Sequence, residues 1–199
     1  MIQELIDEVI DYISVSGREE DVAGAKKDYF SQSGGIFGEE VTYDMRIGTF
    51  LEWYALDRRK GGQSVVDEYV EKNDDAAKRA EIIKLKEGVR SIFEILRVSG
   101  DKIRLKDLYS RKKYTIMVPE GGNHFQAKSL LETRVFPKDK KYIISRYYIM
   151  HPAKVKKFII SKLKEGAAKD DLESSINILA NMSLRWERFT KYRIEEIYK

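Results

Sequence analysis

The sequence predicts an α+β fold, with helices at both ends of a small antiparallel sheet that curls or closes as an SH3-like barrel. Three observations carry that prediction. Residues 1–90 and 151–199 repeat apolar side chains at helical spacing. Residues 91–150 instead break into five short runs rich in β-branched and aromatic residues, at 92–98, 102–109, 114–118, 130–136 and 142–149. The breaks hold turn residues: Ser99-Gly100-Asp101, then Ser110 with Arg111, Lys112 and Lys113, then Pro119 through Gly121, Gly122 and Asn123, and last Pro137-Lys138-Asp139-Lys140-Lys141. No crossover helix is legible between the runs, so neighbouring strands are expected to be antiparallel.

The elements follow in order. Ile2, Leu5, Ile6, Val9, Ile10 and Ile13 alternate with carboxylates as one amphipathic face, which Ser16-Gly17 ends. A second helix over 19–30 places Glu19, Glu20 and Asp21 at the positive end of its dipole. Gly34, Gly35 and Gly38 then mark a linker, because no lysine and hydroxyl pair follows them as a phosphate loop requires. The helix over 42–59 shows the widest apolar face, with Tyr43, Ile47, Phe50, Leu51, Tyr54 and Leu56 expected in the core and Trp53 beside them. Ser64 and Asp67 form a capping pattern that opens a helix over 65–72, and Asn73-Asp74 caps another running to about Arg90.

Beyond the strands, Pro152 suits the first turn of a short helix on Val155, Phe158, Ile159 and Leu163, closing near Gly166. A long final helix is expected from Asp170 to about Tyr198 on Leu172, Ile176, Leu179, Met182, Trp186, Phe189, Ile194 and Ile197. Its near-heptad steps make a monomer or a homodimer the two expected states, and packing back onto its own domain is preferred. Residues 1–90, 91–150 and 151–199 are read as parts of one unit, because no disordered linker separates them.

Composition narrows the chemistry. The 199 residues contain no cysteine and two histidines, His124 and His151, which removes thiolate metal sites and makes ordinary zinc chemistry unexpected. No metal or cofactor is predicted. No run reaches the ~18 continuous apolar residues of a membrane span, and the first residues lack the basic region of a signal peptide, so a cytoplasmic protein with no membrane partner is expected. Net charge is +4, unevenly spread: residues 1–44 carry three basic and eleven acidic side chains, an acidic head on a basic body.

Phe50-Leu51-Glu52-Trp53-Tyr54-Ala55-Leu56-Asp57-Arg58, then Ser91-Ile92-Phe93-Glu94-Ile95, Ile103-Arg104-Leu105-Lys106-Asp107-Leu108 and Tyr114-Thr115-Ile116 are similar to segments of a set of uncharacterised prokaryotic proteins. In those proteins a Glu-Trp-aromatic helix ending in Asp-Arg precedes a small sheet. The resemblance spans about residues 47–145 and implies fold rather than chemistry. Some of those proteins carry a cysteine-rich SEC-C zinc motif, which this chain lacks.

Glu39, Glu40, Asp44, Glu52 and Asp57 are the carboxylates most worth testing for metal or acid–base work. Asp44, Glu52 and Asp57 are nevertheless spaced by eight and five, which does not align them on one helical face. His124 has the intrinsic acidity of a general base, yet no partner is identifiable by spacing. Trp53, Tyr54 and Tyr43 could form an aromatic cage, but a stripe at helical spacing is more often core.

The basic residues carry the strongest functional signal. Lys102, Arg104 and Lys106 alternate along one strand and therefore share a sheet face, with Arg111, Lys112 and Lys113 at the next turn and Lys138, Lys140, Lys141 and Arg146 at a later hairpin. Tyr147 and Tyr148 are expected nearby. A curled sheet that offers cations to phosphates and rings to bases suggests a non-enzymatic module binding single-stranded nucleic acid or an acidic protein. A scaffold subunit using its helices is the alternative, and an enzyme ranks third.

Overall fold

The computed structural model describes residues 2–117, 125–139 and 141–199. Lys140, His124, the turn around Gly121 and Gly122, and the end of the expected third strand at Val118 lie outside the described residues. Five helices come first: α1 (Ile2–Val15), α2 (Glu19–Ser33), α3 (Tyr43–Leu56), α4 (Val65–Glu71) and α5 (Ala76–Ile83). The strands β1 (Val89–Ser99), β2 (Lys102–Asp107), β3 (Lys113–Met117), β4 (Leu130–Lys138) and β5 (Lys141–His151) follow, then α6 (Lys156–Ala168), α7 (Leu172–Arg188) and α8 (Ile194–Ile197). The fold is α+β with helices at both ends, and none of the described helices is long and apolar enough to cross a membrane.

Local chemistry explains most boundaries. Ser64 and Asp67 make a reciprocal capping box at α4, whereas Asp75, rather than Asn73 or Asp74, caps α5 by accepting from the Ala77 and Lys78 N–H groups. A 3-10 turn at Lys84–Glu87 ends the helical run, and β1 starts at Val89 because Val89 and Arg90 already pair with Val135 and Arg134. Gly88 sits at this junction, where a Cβ would come within 2.6 Å of the Phe136 ring. At Gly48, in α3, a Cβ would collide with the Tyr147 ring at 2.0 Å, so this glycine sets how closely α3 approaches β5.

The strands close a barrel in the order β1-β2-β3-β5-β4. All pairings are antiparallel except β3 with β5, where Ile116 faces Tyr142 and Met117 faces Ile143 in parallel. The expectation of a wholly antiparallel sheet is therefore corrected, and the reason is arithmetic: directions cannot alternate all the way round a closed ring of five strands. The order is that of an OB-type Greek-key barrel rather than an SH3-like one. β1 serves two neighbours, β4 through its first half and β2 through its second, and a register shift between Ile95 and Arg97 leaves Leu96 as an extra residue that bends the strand.

Phe93, Ile95, Ile103, Leu105, Tyr114, Ile116, Leu131, Val135 and Ile144 fill the barrel. Outside it, Ile92 and Leu130 pack under Val155, Ile159, Leu163, Ile176 and Leu179 of the C-terminal helices. A third apolar cluster joins α1 to α5 around Phe50, Tyr54, Tyr29 and Val66, with Phe136 of β4 reaching into it. The expected single last helix is corrected as well. It ends at Arg188, and the chain turns back so that α8 brings Ile197 and Tyr198 into the cluster of Val155 and Ile159. The loss of apolar register near Thr190 marks this break.

Candidate nucleic-acid interface

The helices cover the outer side of β4, β5 and the first half of β1 and leave the outer side of β2, β3 and the second half of β1 open. On β2, Lys102 and Arg104 are exposed and Lys106 is half-buried, while Ile103, Leu105 and Asp107 are buried. The registers extend this stripe into a patch three strands wide. Ser99, Lys102 and Met117 form one row, Arg97, Arg104 and Thr115 the next, and Glu94, Lys106 and Lys113 the third. Arg97 was not singled out from the sequence, because it joins the face only through the Leu96 bulge. Glu94 is the one carboxylate in these rows, and its Oε1 lies 2.6 Å from the Lys156 ammonium of α6.

Two pairs of cations stand directly opposite each other across strands, Arg97 with Arg104 and Lys106 with Lys113. Such like-charge pairs destabilise a sheet. Among the described residues, Arg97, Lys102, Arg104, Lys106 and Lys113 form no ion pair, whereas Arg18, Arg58, Arg59 and Arg146 pair with Glu68, Asp21, Asp67 and Asp7.

The other expected site residues are placed differently. Lys141 approaches the patch from β5, its Nζ 3.4 Å from the Met117 Sδ. Arg111 is exposed in the β2–β3 turn in a left-handed conformation, and its N–H donates to the Asp107 carbonyl. The Asp107 carboxylate secures that turn by accepting from the Ser91 and Ser110 hydroxyls and the Tyr109 N–H. Lys112 points its ammonium over the rings of Tyr114 and Tyr142, at 5.2 and 5.9 Å. Tyr147 lies against Gly48, under Arg146, and Tyr148 packs beside Phe125 in the barrel cluster. These two tyrosines therefore do not flank the open face of β2 and β3, and Tyr109, just past the end of β2, is 39% exposed.

The acidic candidates do not form one cluster, although Asp57 adds to the upward push on the Glu52 carboxyl. Glu40 pairs with Arg188, Asp57 with Arg134, and Asp44 is exposed. Glu52 is buried and accepts from the Ser145 hydroxyl, and burial pushes its carboxyl up to about 7. No group of three or more His, Asp or Glu able to hold a metal occurs among the described residues. Phe50 and Tyr54 are core residues, and Trp53 donates its indole N–H to Glu173 at 2.6 Å.

A polar cluster that sequence reasoning missed lies under the helices. Glu132 and Arg134 on β4 and Arg90 on β1 point outward from the barrel and are sealed by α2, α3 and α7. One Arg90 nitrogen donates to Glu132 at 2.6 Å, Asn177 at 2.9 Å and the Tyr29 hydroxyl at 3.2 Å. Arg134 bonds Asp57 and the Gly88 carbonyl. The second Glu132 oxygen lies 3.7 Å from His151 Nε2, and the other ring nitrogen of His151 contacts the Tyr198 hydroxyl. Burial works to raise the Glu132 carboxyl, but the Arg90 guanidinium and the His151 ring outweigh it and hold it below the usual carboxylate range. These groups neutralise one another inside the protein, and no nucleophile stands among them.

Element order and strand order together define a class: an OB-type barrel wrapped on one side by helices. The chain belongs to a family of unknown function, DUF7986, which it matches over residues 27–177, from within α2 into α7. No curated protein and no solved structure matches it.

Proposed function

We propose that this protein is a non-enzymatic binding module that takes the phosphate backbone of single-stranded nucleic acid onto the open face of β1, β2 and β3. The observation that carries this reading is the pair of cross-strand cation–cation juxtapositions, Arg97 with Arg104 and Lys106 with Lys113, on the outer face of the sheet. An arrangement that costs stability in the free protein is relieved when phosphates sit between the cations. The barrel type agrees, since OB-type barrels use the face of strands 2 and 3 for oligonucleotides. A scaffold reading is less well supported, because the apolar stripes of α1, α3 and α7 are already packed inside.

Fluorescence anisotropy with single-stranded oligonucleotides across a salt series tests the reading. With roughly three to five phosphates neutralised, log affinity should fall with log salt at a slope of about −2 to −3.5. Reversing Lys102 and Arg104 to glutamate should weaken binding and flatten that slope. Stability should change by less than about 0.5 kcal/mol, because the sites are exposed. Absence of binding at low salt, or indifference to the reversals, would refute the proposal. Equal displacement by polyglutamate would transfer the face to an acidic protein partner.

A further inference from the structure

We infer that the cleft between the barrel and the α7–α8 corner is the base-binding half of the same interface, where one base of a single strand stacks on the Trp186 indole while its flanking phosphates reach Lys128 and Lys154. The inference rests on the reading of the β1–β2–β3 face above, and supplies the aromatic surface which that face lacks.

The cleft measures about 770 Å³, ample for a nucleotide. Trp186 and Pro152 contribute apolar lining, and Lys128, Lys154 and Arg193 outnumber the one lining carboxylate, Glu195. Trp186 is only partly buried, and its indole N–H makes no hydrogen bond among the described residues. Both lysines lie next to the cationic face. The Lys128 N–H donates to the Ile95 carbonyl at 2.7 Å, and the Ile95 N–H donates to Ser129 at 2.9 Å, which seats Lys128 beside the Leu96 bulge and Arg97. Lys154 stands two residues before Lys156, whose ammonium binds Glu94 in the row of Lys106 and Lys113. Lys128 is also held in a left-handed conformation, φ 72, where glycine or asparagine would be less strained. A strand running across β3, β2 and β1 thus arrives at a cationic cleft with a ring on its wall. Stacking of this kind tolerates any base.

Two probes separate the halves of the interface: an oligothymidylate and an abasic strand of equal length. Oligothymidylate should quench tryptophan fluorescence in step with anisotropy, and the quench should vanish in Trp186→Phe, which keeps an aromatic ring in place. The abasic strand should bind with a similar salt slope but roughly five- to a hundredfold more weakly, and without a quench. Trp186→Leu, checked for folding by circular dichroism, should bring oligothymidylate down to the abasic affinity. Salt-dependent binding with no quench, or equal affinity for the two strands, overturns the stacking inference and leaves the sheet reading standing. If neither strand binds, both fall.

Discussion

Replacing Arg90 or Glu132 singly by methionine should cost about 3–5 kcal/mol, and replacing both together should cost much less. Both side chains are sealed between β1, β4 and the helices, with Glu132 fully buried. Neither can recover hydration when its partner is lost. Loss of Glu132 should be the worse of the two, because Arg90 faces Arg134 directly across the strands, and of the carboxyls left near these two guanidinium groups Asp57 is already paired with Arg134 and Glu52 is itself driven toward its neutral form by burial. Methionine fills similar volume, so the double variant exchanges a desolvated ion pair for apolar packing. Urea denaturation of the four proteins gives the coupling energy. Additive single costs would show that the two charges do not depend on one another.

The second large effect is a dependence on pH through Glu52. Burial raises its carboxyl to about 7 in the folded protein, against an ordinary value of 4.5. Between those values the unfolded chain releases a proton that the folded chain keeps. This contribution to stability is therefore full below about 4.5, falls as pH rises through the window, and levels off above about 7, with a total loss on the order of 3 kcal/mol. Asp21, Asp67 and Glu132 are held low in the folded state, and act in the opposite sense at more acid pH. Glu52→Gln keeps an acceptor for the Ser145 hydroxyl but cannot ionise. Denaturation midpoints from pH 4 to 8 should decline in the native protein and stay flat in the variant. A parallel decline in both would assign the effect to other groups.

Much of the architecture was legible because it depends on local chemistry. Apolar spacing located the helices, the Ser64–Asp67 pair marked the start of α4, and Ser99-Gly100-Asp101 marked the first hairpin. Alternation along residues 102–107 placed Lys102, Arg104 and Lys106 together, since successive side chains in a strand must take opposite faces.

Only the tertiary structure decided which face meets water. Glu132 and Arg134 alternate with Leu131, Thr133 and Val135 along β4 much as the cations alternate with Ile103 and Leu105 along β2, yet helices seal the first set and leave the second open. Periodicity assigns residues to faces, but it cannot say what packs on each face, because the covering helices come from distant parts of the chain. Arg97 entered the patch through a bulge that shifts its register, and Tyr147 left the neighbourhood because Gly48 lets α3 come down on its ring. Closure followed the same logic. Whether five strands stay open or join end to end depends on β1 reaching both β2 and β4, and once joined they must contain one parallel pair, which no short-range pattern encodes.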